Sequence, residues 1–439
     1  MIFDGSSLVA RRKAAGLSQE ELARIIGVER TSIHRWEKGV RRPQPSHQRK
    51  LADALTIRIE DLHLMLESSP STTKVVPRLE LARGPANLIE GQAALDPVSR
   101  WETAPTSARK LHVSEPRQEP ESDIARLVAL REGYQEMYRR VGGVPTLPRI
   151  AEVLDDSVQG LLKRAYHNAD GKKLYKAVGA LEAIAGVCAY DAQQQGRAQR
   201  YLFRALDSAS MSEDHAFGGY VVAVLANQAL HLGHYRRVIH YTGSALHTSR
   251  HHLSNALKAD LYALTAKAYA RMGDIRSCNA YLQLTEDTSA KINHTDEPAE
   301  VSYVTPGLAE TQIAEALRRS GDTTAALAYA EESVRTAGST HLRGQVHRYA
   351  GLALILAARG EVDRSVSIGQ DMLVRLTGME SQRLTDRLGT VLTALEPYRS
   401  DATVRDFLDQ ARYTLIQGDL CAGTFIPNGR CTAISGCIS

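Results

Sequence analysis

Between residues 18 and 39, apolar side chains fall at Leu22, Ala23 and Ile26 and then, beyond Gly27, at Ile33 and Trp36. That spacing of three and four predicts two short helices joined by a tight turn, a shape that enters a DNA major groove. Ser18, followed three places later by Glu21, is the signature of a capping box on the first of them. Gly27 has no Cβ and marks where the chain turns most cheaply. Ile33 and Trp36 face inward, which leaves Arg30, Thr31, His34 and Arg35 as a donor-rich outer face. Between Ser68 and Ser122 the helical periodicity disappears, and seven of the fifteen prolines stand among Ser, Thr and Arg. Residues 67–122 are therefore predicted to be a partly extended, partly disordered linker. The alternative is that Leu79–Ile89 docks on a neighbouring domain. From Ile124 to about Leu415 the helical pattern returns, rich in Ala and Leu, so the chain is predicted to be nearly all α.

Within that second region one unit recurs, a helix ending at glycine and then a helix rich in Ala and aromatic residues. The glycines are Gly196, Gly233, Gly273, Gly321 and Gly360, at intervals of 37, 40, 48 and 39 residues. The longest interval contains an insertion, residues 291–307. The unit resembles the tetratricopeptide repeat with loops added. The resemblance implies an α-solenoid of at least five helix pairs over residues 123–416, with Ile124–Val141 and Leu147–Ala165 as further helices in front. Stacked pairs leave a concave surface lined by the first helix of each pair. Such a surface serves either dimerisation or the binding of a peptide or small molecule.

Met1 to about Leu66 resembles the Cro/repressor-type helix-turn-helix domain, the XRE family. Ser18–Ala23 looks like the family's first motif helix and Gly27-Val28 its turn. Ser32, Ile33, Trp36, Glu37 and Gly39 look like its recognition helix and exit, and Pro43 like the proline of the next loop. The resemblance implies a five-helix domain completed by Leu8–Ala15, Ser46–Leu55 and a helix around Arg58–Met65. It also implies an internal pair between Arg12 and Glu37, and a phosphate contact from Gln19, whose backbone N–H stands at a helix N-terminus that favours anions. Arg30, Thr31 and Arg35 are the base-reading candidates. A guanidinium fork fits guanine O6 and N7, and threonine offers a methyl to thymine or a hydroxyl to a base edge. Ser32 and His34 share that helix, and Lys38, Arg41 and Arg42 are placed for phosphate or minor-groove contacts. The family often has polar amides where this chain has Arg30 and Arg35, a departure that bears on the operator sequence. Residues 1–66 hold 12 Lys and Arg against 8 Asp and Glu, so the whole net charge of +4 belongs to this end, as DNA contact requires. One recognition helix reads only a few base pairs, so a homodimer on an inverted-repeat operator is expected.

Such a head on a tetratricopeptide body resembles bacterial regulators that bind a short secreted signalling peptide, the RRNPP group, and actinobacterial regulators of similar plan. In that group, asparagines on the inner helices hold the peptide backbone. Asn227 and Asn255 stand on first helices here, and an amide both donates and accepts. The resulting expectation is a cytoplasmic transcription regulator of the quorum-sensing kind, controlled by a peptide or small-molecule signal. The alternative is a ligand-independent regulator whose repeats mediate dimerisation and protein recruitment. No Walker loop, G-x-S-x-G elbow, H-E-x-x-H or Rossmann fingerprint is present, so neither an enzyme nor a cofactor is expected. Six histidines crowd residues 231–252 without a carboxylate or cysteine to complete a ligand set, so they read as hydrophilic helix surface and no metal is expected. Cys188 and Cys278 read as small apolar residues. Cys421, Cys431 and Cys437 fall in a Gly-, Thr- and Ser-containing tail, residues 417–439. A thiol sensor, a soft-metal tail, an appended peptide resembling a modified-peptide precursor and a plain flexible terminus are all open for it. Neither a signal peptide nor an apolar run long enough for a membrane span is legible.

Overall fold

The computed structural model describes residues 6–15, 17–57, 59, 62–63, 66, 87–103, 120–162, 168–338 and 341–423. Among these residues the only regular elements are helices. The head contains α1 (Ser6–Ala14), α2 (Gln19–Ile26), α3 (Arg30–Glu37) and α4 (Pro45–Ala54). The capping box forms: the Ser18 hydroxyl accepts the Glu21 N–H at 3.1 Å, and the Glu21 carboxylate accepts the Ser18 N–H at 2.7 Å. Gly27 takes the left-handed conformation, with φ of 81°, that ends α2. Pro45 opens α4, where its missing N–H costs nothing. Leu8, Leu22, Ile26, Ile33, Trp36 and Leu51 make the core of the head. The expected fifth helix falls largely outside the described residues, but Leu62 and Leu66 pack into the same core.

The body is a stack of antiparallel helix pairs. These are 168–191 with 195–212, 215–231 with 235–248, 255–272 with 275–289, 308–320 with 323–335, 342–358 with 362–376, and 382–395 with 402–423. Gly233, Gly273, Gly321 and Gly360 hold positive φ at the turns within four of these pairs. Gly196 does not: it is buried in the first turn of its helix, and the left-handed residue of that turn is Gln193, with φ of 58°. In front of the pairs run Pro120–Val141 and Gly143–Val153, the latter continuing through a π-helical turn, Leu154–Val158, into Gln159–Leu162.

Two stretches differ from expectation. Inside the presumed linker, Gln92–Thr103 is a helix packed against 195–212 and 235–248. Its Leu95, Val98 and Trp101 belong to the largest core of the body. The Tyr241 hydroxyl donates to the Ala94 carbonyl at 2.5 Å. The Gln199 amide accepts the Ile89 N–H at 2.7 Å and donates to the Ile89 carbonyl at 3.1 Å. Pro97 within the helix is the breaker signal that hid it from pattern reading. The rest of that range, 67–86 and 104–119, lies outside the described residues. At the other end the last helix runs on to Gly423 and takes in Cys421, whereas Cys431 and Cys437 lie outside the described residues.

The stack winds until its ends meet. The Glu380 N–H donates to the Val141 carbonyl at 2.8 Å, and the Glu380 carbonyl accepts the Val144 N–H at 3.3 Å. Between them Gly142, with φ of 94°, lies so close that a Cβ there would stand 2.3 Å from the Glu380 oxygen. A fully buried carboxylate, Asp191, fastens the junction. It accepts the Gly143 N–H at 2.8 Å, the Ser381 hydroxyl at 2.7 Å and the Arg343 guanidinium. Removing one partner of such a pair leaves an uncompensated buried charge and costs about 3–5 kcal/mol. The two ends of the stack are thereby joined beside the concave face.

Candidate functional site

The head presents its donors as the apolar spacing dictates. Arg30, Thr31, His34 and Arg35 are exposed on the outer face of α3, Ser32 is half-buried, and Lys38, Arg41 and Arg42 are exposed just beyond. Arg30 meets Glu20 at 2.7 Å and the Thr31 hydroxyl meets Glu29 at 3.1 Å. Exposed pairs of this kind are worth about 0–1 kcal/mol and are readily exchanged for a phosphate or base. Glu37 is the anchor of the domain. It accepts Arg12 at 2.5 and 3.3 Å, and Arg12 in turn holds the Leu17 carbonyl at 2.8 Å. The Gln19 side chain is also turned to Glu37, at 2.6 Å, so a phosphate would meet the backbone N–H of Gln19 at the first turn of α2.

In the body, a cavity of about 380 Å³ occupies the concave face. It is lined by one face of the first helix in each pair, at helical intervals. Examples are Tyr220, Val224, Asn227 and His231 from 215–231, and Arg383, Asp386, Arg387 and Thr390 from 382–395. The front helix 120–141 contributes Arg131, Gln135, Tyr138 and Arg139. The insertion at 291–307 also reaches the cavity through Glu300, Tyr303 and Thr305. Ser302 of that insertion accepts Arg139 at 2.7 Å and Gln135 at 3.1 Å, which ties the insertion to the front helix.

Charge in the cavity is organised around two acids. Glu315 accepts Lys267 at 2.9 Å and Arg271 at 2.8 Å. Burial alone would raise its pKa, but Lys267, Arg387 and Arg271 outweigh burial and hold it well below the usual carboxylate range. Asp260 accepts the Tyr303 hydroxyl at 2.7 Å and the Gln312 amide at 3.1 Å, yet burial still pushes it up. The histidines go the other way. Burial and then Arg139, Arg343 and Arg348 push His341 down to about 4, and burial with Arg343, Arg383 and Arg387 holds His347 well below the ordinary range.

The sequence-derived ligand contacts divide. Asn227 lines the cavity, and its side-chain amide makes no hydrogen bond within the described residues. Asn255 lies away from the cavity: it is the first residue of its helix, and its amide donates to the Lys291 carbonyl at 3.0 Å. The histidines of 231–252 are dispersed. His231 packs edge-on to Tyr190, His240 is buried, and His252 stacks on His215. Among the described residues no group of three His, Cys, Asp or Glu side chains is placed to hold a metal ion. Cys188 and Cys278 are buried, free thiols. No helix of the described residues is long and apolar enough to cross a membrane. Pattern reading missed the cavity's arginines and the part the insertion plays in its lining. Their signal was polar residues at intervals of three and four on helices otherwise read as core, as at Arg383, Arg387 and Thr390.

A helix-turn-helix family model, HTH_3, matches residues 8–62. No curated protein matches the chain. Among solved structures, the chain is similar to NprR in complex with its cognate peptide NprX, at 15% identity, over 72% of this chain and 85% of that one, with a TM-score of 0.45. It is also similar to Bacillus thuringiensis PlcR in complex with the peptide PapR7 and DNA, at 14% identity, over 83% of this chain and 98% of that one, with a TM-score of 0.29. Residues 8–62 form a helix-turn-helix domain, in agreement with the caps, turn and buried Arg12–Glu37 pair described above.

Proposed function

We propose that this chain is a cytoplasmic transcription regulator that binds an inverted-repeat operator as a homodimer and is controlled by a peptide or small molecule held inside its helical-repeat body. The observation that carries the control is the cavity of the concave face, walled by first helices and bordered by the Asp191 junction. Its apolar wall, tyrosines and converging charged groups in a concave cavity are the make-up of a ligand site. Arg30, Thr31 and Arg35 read bases, Ser32 and His34 add contacts to DNA from the same helix, and Gln19, Lys38, Arg41 and Arg42 contact phosphates or the minor groove. Asn227 offers the ligand one donor and one acceptor. The cavity is assigned a binding role and no catalytic one.

Selection of bound fragments from random and genomic DNA by the purified full-length protein, with and without host culture extract, tests both halves. The expected result is an enriched inverted repeat whose recovery changes with extract. Enrichment indifferent to extract would favour the protein-recruiting reading, and no enrichment would remove DNA binding itself. Asn227→Ala is expected to keep operator affinity and lose the extract response, measured in the same assay. An undiminished response would take Asn227 out of the site.

A further inference from the structure

The cavity carries more positive charge than its own acids neutralise, and the excess is local. On one side stand Lys267, Arg271, Arg383 and Arg387, with only Glu315 and Asp386 among them. Glu315 is shared by Lys267 and Arg271, and Asp386 accepts the Gln193 amide at 2.5 Å. Among the described residues Arg383 has no carboxylate within salt-bridge distance; its guanidinium lies 3.9 Å from the centre of the Tyr190 ring. Among the described residues Arg387 forms no close ion pair either, Glu315 attracting it only from beyond salt-bridge distance, and its Nε is buried without a hydrogen-bond acceptor. Burial lowers the Arg387 pKa; Glu315 raises it, but burial together with Arg271, Arg383 and Arg319 outweighs Glu315. Half-buried cations that the neighbouring acids do not neutralise destabilise a fold, so a chain that keeps them in a cavity is arranged for a counter-charge brought from outside.

We infer that the ligand carries an oxyanion, a carboxylate or phosphate, that docks on Arg383 and Arg387, with the remainder of the ligand lying along the apolar wall of Ile184, Val187 and Val224. The inference deepens the ligand-controlled reading and rests on it. Guanidinium forks match either oxyanion, so the chemistry is shared between the free carboxylate of a short peptide, a small organic acid and a phosphate.

The test follows the thermal unfolding midpoint of the full-length protein at constant ionic strength with four probes. These are a pool of synthetic short peptides with free C-terminal carboxylates, the same pool as C-terminal amides, citrate, and inorganic phosphate. The expected result is a concentration-dependent rise with at least one oxyanion probe, the responding probe identifying the source. Arg387→Met is expected to need about tenfold more of that probe for the same rise, and Arg387→Lys to recover part of the loss. Without probe, Arg387→Met should melt at or above the parent protein, because burial and the like charges around Arg387 outweigh its attraction to Glu315. A purely structural arginine would give the opposite sign. The inference is overturned by any of three results: no rise with any oxyanion probe, an equal rise with the amide pool, or a lower probe-free midpoint in Arg387→Met. Culture extract that still changes operator recovery would then leave ligand control standing with a neutral ligand. An operator indifferent to extract in the parent protein would instead remove the control itself.

Discussion

Arg35 and Arg42 have the same charge and are both exposed, but one stands on the outer face of α3 and the other in the loop beyond it. Base-edge contacts depend on the sequence read, while phosphate contacts do not. Arg35→Ala is therefore expected to cost about 1–3 kcal/mol on the selected operator and to relax preference at one base pair. Arg42→Ala should weaken all sequences alike and reduce the salt slope by about one. Titrations on operator and random DNA at several salt concentrations separate the two, and equal losses on both DNAs in both variants would overturn the assignment. Most of the head was legible at this scale because its determinants are local. Ser18 and Glu21 are three residues apart, and Gly27 follows directly on the helix it ends. The turning of the Gln19 amide toward Glu37, 18 residues away, is a tertiary choice that local pattern does not contain.

At the scale of elements, the helix Gln92–Thr103 owes its place to one close fit. Trp101 is 3% exposed and lies against Gly218, where a Cβ would stand 2.2 Å from the indole nitrogen. Gly218→Ala is expected to destabilise the body by about 1–3 kcal/mol through overpacking. Gly133→Ala, at an exposed helical position with open space around it, should be neutral or stabilising by up to about 1 kcal/mol. Chemical denaturation of both variants checks this, and an equal response would mean that the helix is not held by that contact. Periodicity identified the repeat helices because each buries a face against its neighbours. It failed for Gln92–Thr103, whose stability comes from a surface built far along the chain and whose Pro97 argues locally against a helix.

For the whole molecule, two consequences follow from what the closed body holds. His341 titrates at about 4 when folded, and His231, His234 and His347 are also lowered from the ordinary value of 6.5. The unfolded chain takes up these protons near pH 6.5 and the folded chain does not, so stability falls as pH drops from about 6.5 toward 4. Unfolding by denaturant across that window should show the decline, and His341→Gln should flatten it; an unchanged slope in the variant would exclude His341. The second consequence concerns the tie between head and body, where Arg11 of α1 meets Glu102 of the docked helix at 3.1 Å. Glu102→Ala is expected to leave probe binding unchanged while reducing the effect of extract on operator recovery. An undiminished effect would show that the signal reaches the head by another route.

By itself the sequence determined the helical class, the helix-turn-helix head with its outward donors, and the existence of stacked pairs, because caps, turn glycines and helical periodicity act within a few residues of each other. Only the tertiary structure decided that the ends of the stack close at Gly142, Asp191 and Glu380, that the insertion 291–307 reaches over the concave face, and that Asn227 lines the cavity while Asn255 does not. It also decided where the unpaired arginines converge. Those outcomes depend on groups up to 239 residues apart, as between Val141 and Glu380, brought together by the cumulative rotation of successive helix pairs, a quantity that no local pattern encodes.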